Sequence, residues 1–321
     1  MTPTYATNAL RCLGVREGER FQMLCDEELY PVGLEVCAAA AELGAIPTIT
    51  VFPESSRPLA TPSAPVVASI AETDAVLLWL GNTDPVEVNH RRGLYGAAEA
   101  SGRTRLAFGA HIDAGVLEHE MAADYAAIEE RCRAFADALR GARRLRVTGG
   151  AGTELEVELG DREWKLDDGV IRPGSWSNIP AGEIFIAPLE TSANGVLVVD
   201  GALPATGQAG LVDEPVRIEF RDGRVVGIEG GRHAAAFRKI VSQPGGDVIA
   251  ELGIGTNERA RMQGNVMTDE KVLGSAHVAV GYNLGAYGGV NDSTVHCDCC
   301  FGDAAIEADG RLVLEGGKVV G

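Results

Sequence analysis

Between Phe21 and Pro53 the chain commits itself to a parallel crossover. Phe21 to Cys25 is a short apolar run. Asp26-Glu27-Glu28 and Pro31 then open a helical pattern that passes through Val36-Cys37-Ala38-Ala39-Ala40-Ala41 and stops at Gly44. An acidic start and a glycine stop are helix boundaries. Ile46 to Phe52 follows as a β-branched run closed by Pro53. Strand, helix and strand in that order require a crossover that leaves the strands parallel. Ala75 to Leu80 and Leu106 to Phe108 read as further buried strands, and Ala122 to Leu139 as a long amphipathic helix. Such alternation gives an α/β fold with an open parallel sheet.

The composition changes after Gly141. Leu145 to Thr148, the glycine turn Gly149-Gly150-Ala151-Gly152 and the alternating run Glu154 to Leu159 read as two strands joined by a turn. Short β-runs recur at Gly195 to Val199, Val216 to Phe220, Arg224 to Ile228 and Arg311 to Leu314. The second half is therefore expected to be mainly antiparallel. A length of 321 residues also suits two domains at roughly 100 to 200 residues each. The expected division is a scaffold domain over 1–145 and a β-rich metal-binding domain over 146–321.

Charge and pattern exclude several classes. A formal net charge of −18 with no basic stripe argues against a nucleic-acid partner, which would have to displace counterions from phosphates. The first strand ends in Cys25-Asp26-Glu27-Glu28, without the Gly-x-Gly-x-x-Gly turn of a dinucleotide site and with negative charge where a pyrophosphate would sit. Seven cysteines, several in apolar or helical stretches, read as reduced buried thiols. The N-terminal residues lack a basic segment followed by an apolar one, and no apolar run approaches the ~20 residues of a membrane span. A cytoplasmic location with no membrane partner is expected.

The chemistry concentrates between Asp247 and Cys300. In an extended segment residues i and i+2 leave the same face, so His296 and Asp298 point together. Three more metal-ligating side chains sit in apolar or glycine-rich sequence: Glu183 in Gly182-Glu183-Ile184-Phe185-Ile186, Glu251 in Ile249-Ala250-Glu251-Leu252-Gly253, and His277 in Ala276-His277-Val278-Ala279. Singly, each is more often a hydrogen-bonded core or edge residue than a ligand. A buried carboxylate is costly unless paired or metal-bound, and five such positions in one β-rich domain point to a metal site. Three carboxylates and two imidazoles suit Zn, Co or Mn, and the carboxylate share is enough to bridge two divalent ions. Cys297, Cys299 and Cys300 offer a structural zinc site as a non-enzymatic reading, but their Cys-x-Cys-Cys spacing departs from paired Cys-x-x-Cys knuckles. They are expected to pack as small apolar residues.

The motifs Asn178-x-Pro180-x-Gly182-Glu183-x-Phe185-x-x-Pro188, Glu251-Leu252-Gly253-x-Gly255, Glu270-Lys271-x-x-Gly274-x-x-His277-x-Ala279-x-Gly281 and Ser293-x-x-His296-x-Asp298 resemble those of the metal-dependent aminopeptidase T family. The resemblance covers residues 175–321 well and the N-terminal part only in its α/β character. It implies two-metal hydrolysis of a peptide or small amide by a homodimer, with ligands at Glu183, Glu251, His277, His296 and Asp298. The tyrosine that the family places seven residues after its first ligand histidine meets Leu284 here, which leaves Tyr282 and Tyr287 as the candidate catalytic tyrosines. More distantly, the C-terminal part is similar to dihydroxypyridine ring-cleaving dioxygenases. These keep the His-x-Asp pair but hold one Fe(II), with a histidine where this chain has Glu251 and none at position 277. On those two residues the hydrolase is the expected activity, and the dioxygenase is the alternative.

Overall fold

A computed structural model describes residues 2–204 and 210–320, with the side chain of Pro85 left aside. The fold is mixed α/β, with one parallel and two antiparallel sheets. It divides into two compact units, Met1–Tyr125 with Gly169–Ala181, and Ala126–Asp168 with Gly182–Gly321. No helix among the described residues is long and apolar enough to cross a membrane.

In the first unit five parallel strands run in the order Ile46–Phe52, Arg20–Asp26, Ala75–Leu80, Arg105–Ala110 and Ser175–Asn178. Ala75–Leu80 and Arg105–Ala110 are buried along their whole length, as expected of strands covered on both faces. The crossover read from Phe21 to Pro53 forms as the strand Arg20–Asp26, the helix Tyr30–Glu42 and the strand Ile46–Phe52, paired from Arg20 against Ile46 to Asp26 against Phe52.

The second unit carries two antiparallel sheets. One has eight strands, among them Arg144–Thr148, Glu154–Glu158, Asn194–Val199, Val216–Arg221, Arg224–Glu229 and Arg311–Glu315. The other has five, in the order His296–Phe301, Ala276–Gly281, Ile249–Gly255, Glu183–Ile186 and Lys165–Asp167. The central strand Ile249–Gly255 and its neighbour Ala276–Gly281 are buried at every position. The helix Tyr125–Ala138 buries Ile128, Cys132 and Phe135, a spacing of four and three that makes one apolar stripe.

The division differs from a single cut near residue 145. The long helix goes with the β-rich unit because its buried Cys132 Sγ lies 3.1 Å from Thr256 Oγ1. Gly169–Ala181 returns to the first unit because Ser175–Asn178 adds a fifth parallel strand, paired with Arg105–Phe108. The motif from Asn178 to Pro188 therefore falls across two strands, Ser175–Asn178 and Glu183–Ile186. Pro180 has no N–H to give to a ladder, and the antiparallel strand begins only at Glu183.

Candidate metal centre

One face of the five-stranded sheet gathers the ionisable side chains, and strand register explains how. Residues directly opposite in an antiparallel pair share a face. Glu251 opposes Ala279, which opposes Asp298; Gly253 opposes His277; Gly255 opposes Glu183, which opposes Asp167; and Gly281 opposes His296. Glycine and alanine alternate with the charged groups, so the large side chains lie over positions that have little or no side chain of their own. At Gly253 this is a steric requirement, since a Cβ there would sit 2.0 Å from Cε1 of His277.

Two groups of ligand-type atoms result, each with its atoms within 4.8 Å of one another. The outer group is Glu251, His296 and Asp298. Its imidazole orientation is fixed from behind: His296 Nδ1 donates to the carbonyl of Tyr282 at 2.6 Å, a partner that can only accept. Nε2 therefore faces inward, 3.1 Å from Glu251 Oε2 and 3.3 Å from Asp298 Oδ1. The His296 and Asp298 side chains retain 20% and 16% exposure, so this group has an open side. The inner group is Glu183, Glu270 and His277, all buried. His277 Nε2 lies 3.5 Å from Glu183 Oε2 and 3.6 Å from Glu251 Oε1, which makes the two groups neighbours.

Behind the inner group lies Lys271, with its side chain fully buried. Its ammonium is 2.7 Å from Glu270 Oε1, 2.9 Å from Glu183 Oε1 and 3.4 Å from Asp167 Oδ2. Burial disfavours the charged lysine, but Glu183, Glu270 and Asp167 outweigh it and hold Lys271 well above the ordinary amine range. Burial pushes Glu183 up to about 8 and also raises Glu270. For Asp298, burial is outweighed by His296 and the carboxyl falls to about 2. Glu251 likewise lies below its usual range, because His277 and His296 offset its burial. Burial also works against charging His277, yet the contacts with Glu251 and Glu183 hold it up to about 10. His296 is raised for the same reason, with Asp298 as its strongest partner. Without a metal, the lowered carboxyls of Glu251 and Asp298 are matched by the raised imidazoles of His277 and His296, and Lys271 faces the remaining three.

All five ligand positions expected from the sequence lie on this face. Glu270, Lys271 and Asp167 were not foreseen as part of it. Glu270-Lys271 was visible only as a motif fragment, and adjacent opposite charges ordinarily mark a solvated turn. Of the two tyrosines, Tyr287 stacks on the His296 ring at 4.7 Å and 30°, while Tyr282 contributes its backbone carbonyl and packs edge-on against Tyr287 at 6.4 Å. Burial, followed by the nearby carboxylates, raises Tyr287 well above the usual phenol range, so its hydroxyl stays protonated. Cys297, Cys299 and Cys300 are buried and join neither group. Burial raises the Cys299 and Cys300 thiols, as suits small apolar packing.

The donor set fits a divalent cation. Carboxylate and imidazole are the ligands that iron, manganese and zinc share, and buried Glu183 Oε2 and His277 Nδ1 have no hydrogen-bond partner. Two solved structures share this α/β fold. The 2,5-dihydroxypyridine dioxygenase of Pseudomonas putida KT2440 aligns with a TM-score of 0.76 at 21% identity, over 99% of this chain and 96% of that one. Wild-type AmpT of Thermus thermophilus aligns at 0.71 and 18%, over 99% of each. These likenesses establish the fold relationship to both. The family itself is settled by sequence: the 2,5-dihydroxypyridine 5,6-dioxygenase (NicX) family model matches residues 2–321, and the chain belongs to that family. The 2,5-dihydroxypyridine 5,6-dioxygenase of Pseudomonas putida KT2440 is 29% identical over 195 residues, 57% of this chain and 55% of the relative. That match spans about half the relative's length. The aminopeptidase reading thus holds for the fold, and the family match favours the alternative, the dioxygenase.

Proposed function

We propose that this chain is a non-haem metal enzyme that opens the ring of a hydroxylated pyridine with O₂, holding one iron(II) on the outer group Glu251, His296 and Asp298. The observation that carries this reading is the family match along residues 2–321. The geometry supports it in two ways. The outer group offers one imidazole and two carboxylates to the ion, nitrogen and oxygen donors of the kind that iron(II) accepts, and His277 Nε2 adjoins it, 3.6 Å from Glu251 Oε1. The inner carboxylates are already met by the Lys271 ammonium, which lessens their demand for a second ion.

Bound iron supplies the redox-active centre that O₂ requires before it reacts with an organic ring. The residues supply orientation and charge. The Tyr282 carbonyl keeps the proton of His296 on Nδ1 and leaves Nε2 as a donor to the metal. Tyr287, held protonated, offers an O–H to an oxyanion that develops on the ring. The exposed side of His296 and Asp298 admits the substrate. In the overall reaction the bond between the hydroxyl-bearing ring carbon and its neighbour breaks and each carbon takes one oxygen of O₂. The first becomes a carboxylic acid and the second a formyl group, and the ring supplies the electrons that reduce O₂.

A second reading has its own support: the inner group Glu183, Glu270 and His277 adjoins the outer one, an arrangement that would let a carboxylate bridge two ions of Zn, Co or Mn for hydrolysis of a peptide or amide. Oxygen-electrode assays with 2,5-dihydroxypyridine separate the two. The oxidative reading expects O₂ uptake that depends on iron(II) and is absent with zinc. Hydrolysis of amino-acid amides under argon by the zinc, cobalt or manganese protein, without any oxygen uptake, refutes it.

A further inference from the structure

Tyr287 lies on a segment of five glycines and asparagines in nine residues, Asn283-Leu284-Gly285-Ala286-Tyr287-Gly288-Gly289-Val290-Asn291, a composition with little intrinsic preference for one conformation. Its ring nevertheless rests on His296. The segment is closed on itself: Asn283 N donates to Asn291 O at 3.1 Å, Gly289 N to Asn283 O at 2.8 Å and Asn291 N to Asn283 Oδ1 at 2.7 Å. Side chains are excluded at Gly289, where a Cβ would meet the Asn283 amide at 2.2 Å. This closed strap is anchored by Glu190, whose Oε1 accepts from Asn283 Nδ2 at 2.9 Å and from Val290 N at 2.8 Å. Arg162 holds the carboxylate from the other side, Nη2 reaching Oε1 at 3.0 Å and Oε2 at 2.8 Å, and is itself fixed through Nη1 by the carbonyls of Ala187 and Pro188. Asn283 Nδ2 also reaches the carbonyl of Ala250, one residue before Glu251.

We propose that Glu190 is a positioning residue for the metal centre, acting through the Asn283–Asn291 strap to hold the Tyr287 ring against His296. The inference rests on the outer group binding a metal, and it holds for either reading of the chemistry. The Tyr282 carbonyl fixes one ring nitrogen of His296, and Tyr287 restricts the tilt of the ring plane. Partners that orient a ligand histidine are typically worth about 10- to 100-fold in metal affinity. The amide of a Glu190→Gln variant would face Arg162 with a donor against donors, so this milder change also loosens the anchor.

The test is a double-mutant cycle read by cobalt(II) affinity, from competition with a chromophoric chelator, and by the visible spectrum of the bound cobalt. Glu190→Ala and Glu190→Gln are each placed in the wild-type and Tyr287→Ala backgrounds. The expected result is a loss of about tenfold or more for Glu190→Ala, and less for Glu190→Gln, with an altered cobalt spectrum. Both losses should vanish in the Tyr287→Ala background, because an effect exerted through Tyr287 cannot be lost twice. Equal losses in the two backgrounds, or unchanged affinity in every Glu190 variant that folds, overturn the proposal. Should Glu190→Ala fail to fold, the Glu190→Gln pair gives the same comparison. A wild-type protein that binds no cobalt refutes instead the reading of the outer group as a metal centre.

Discussion

Replacing Lys271 by methionine keeps the length of an unbranched side chain and removes its charge. In the metal-free protein Asp167, Glu183 and Glu270 then face one another without the ammonium that now lies 2.7 to 3.4 Å from them. Removing one partner of a buried ion pair costs about 3–5 kcal/mol. At about 2–4 °C per kcal/mol for a unit of this size, the melting temperature should fall by about 6–20 °C near neutral pH. The cost must also depend on pH in a definite direction. Glu183 titrates in the folded protein at about 8, above its ordinary 4.5. The folded state therefore binds more protons than the unfolded one across that interval, and stability falls as pH rises through it. Loss of Lys271 strengthens the carboxylate repulsion and steepens that fall, and acidification toward pH ~5 should recover much of the difference between variant and wild type. Calorimetric melts of both proteins with chelator present, over a pH series, provide the measurement. A change below about 2 °C at neutral pH, or a difference that widens on acidification, refutes the role assigned to the buried ammonium.

Three further outcomes are expected. His296→Ala and Asp298→Ala should each lower bound metal by at least about tenfold, measured by elemental analysis after dialysis, while leaving the melting of the first unit unchanged; full occupancy in both variants removes the outer group from the account. Because His277 lies at about 10 and His296 is raised well above its usual range in the metal-free protein, binding must displace protons, so apparent affinity should rise with pH across neutrality. Titration calorimetry in buffers of different ionisation enthalpy counts the released protons, and a pH-independent affinity contradicts the assignment. Tyr287→Phe keeps the ring on His296 and loses only the hydroxyl, so metal affinity should be retained while kcat falls by roughly 10²-fold or more if that O–H steadies an oxyanion; unchanged kcat limits Tyr287 to packing.

Much of this architecture was legible in the sequence because period and punctuation are local. The crossover at Phe21 to Phe52 and the strands carrying Glu251, His277 and His296 are set by apolar runs between glycine and proline breaks. The pairing of His296 with Asp298 follows from strand geometry alone. What was not legible depends on register and on long-range pairing. Ser175–Asn178 is half-buried, polar and four residues long, and nothing in Ser-Trp-Ser-Asn announces a place in a parallel sheet begun more than a hundred residues earlier. Lys271 has the sequence surroundings of a surface charge; only the inward turn before the Ala276–Gly281 strand places it among three carboxylates. Asp167 joins them because its short strand pairs with Glu183, a register that composition does not encode.

The central claim, that this fold and face serve oxidative ring opening, is tested most directly by ¹⁸O₂ labelling. The iron(II)-loaded protein is supplied with 2,5-dihydroxypyridine under ¹⁸O₂, and the ring-opened product is analysed by mass spectrometry. The account predicts one labelled oxygen in the new carboxylic acid and another in the new formyl group, with no label acquired from H₂¹⁸O when unlabelled O₂ is used and exchange is controlled. A product labelled only from water contradicts it, as does an intact ring alongside amide hydrolysis under argon.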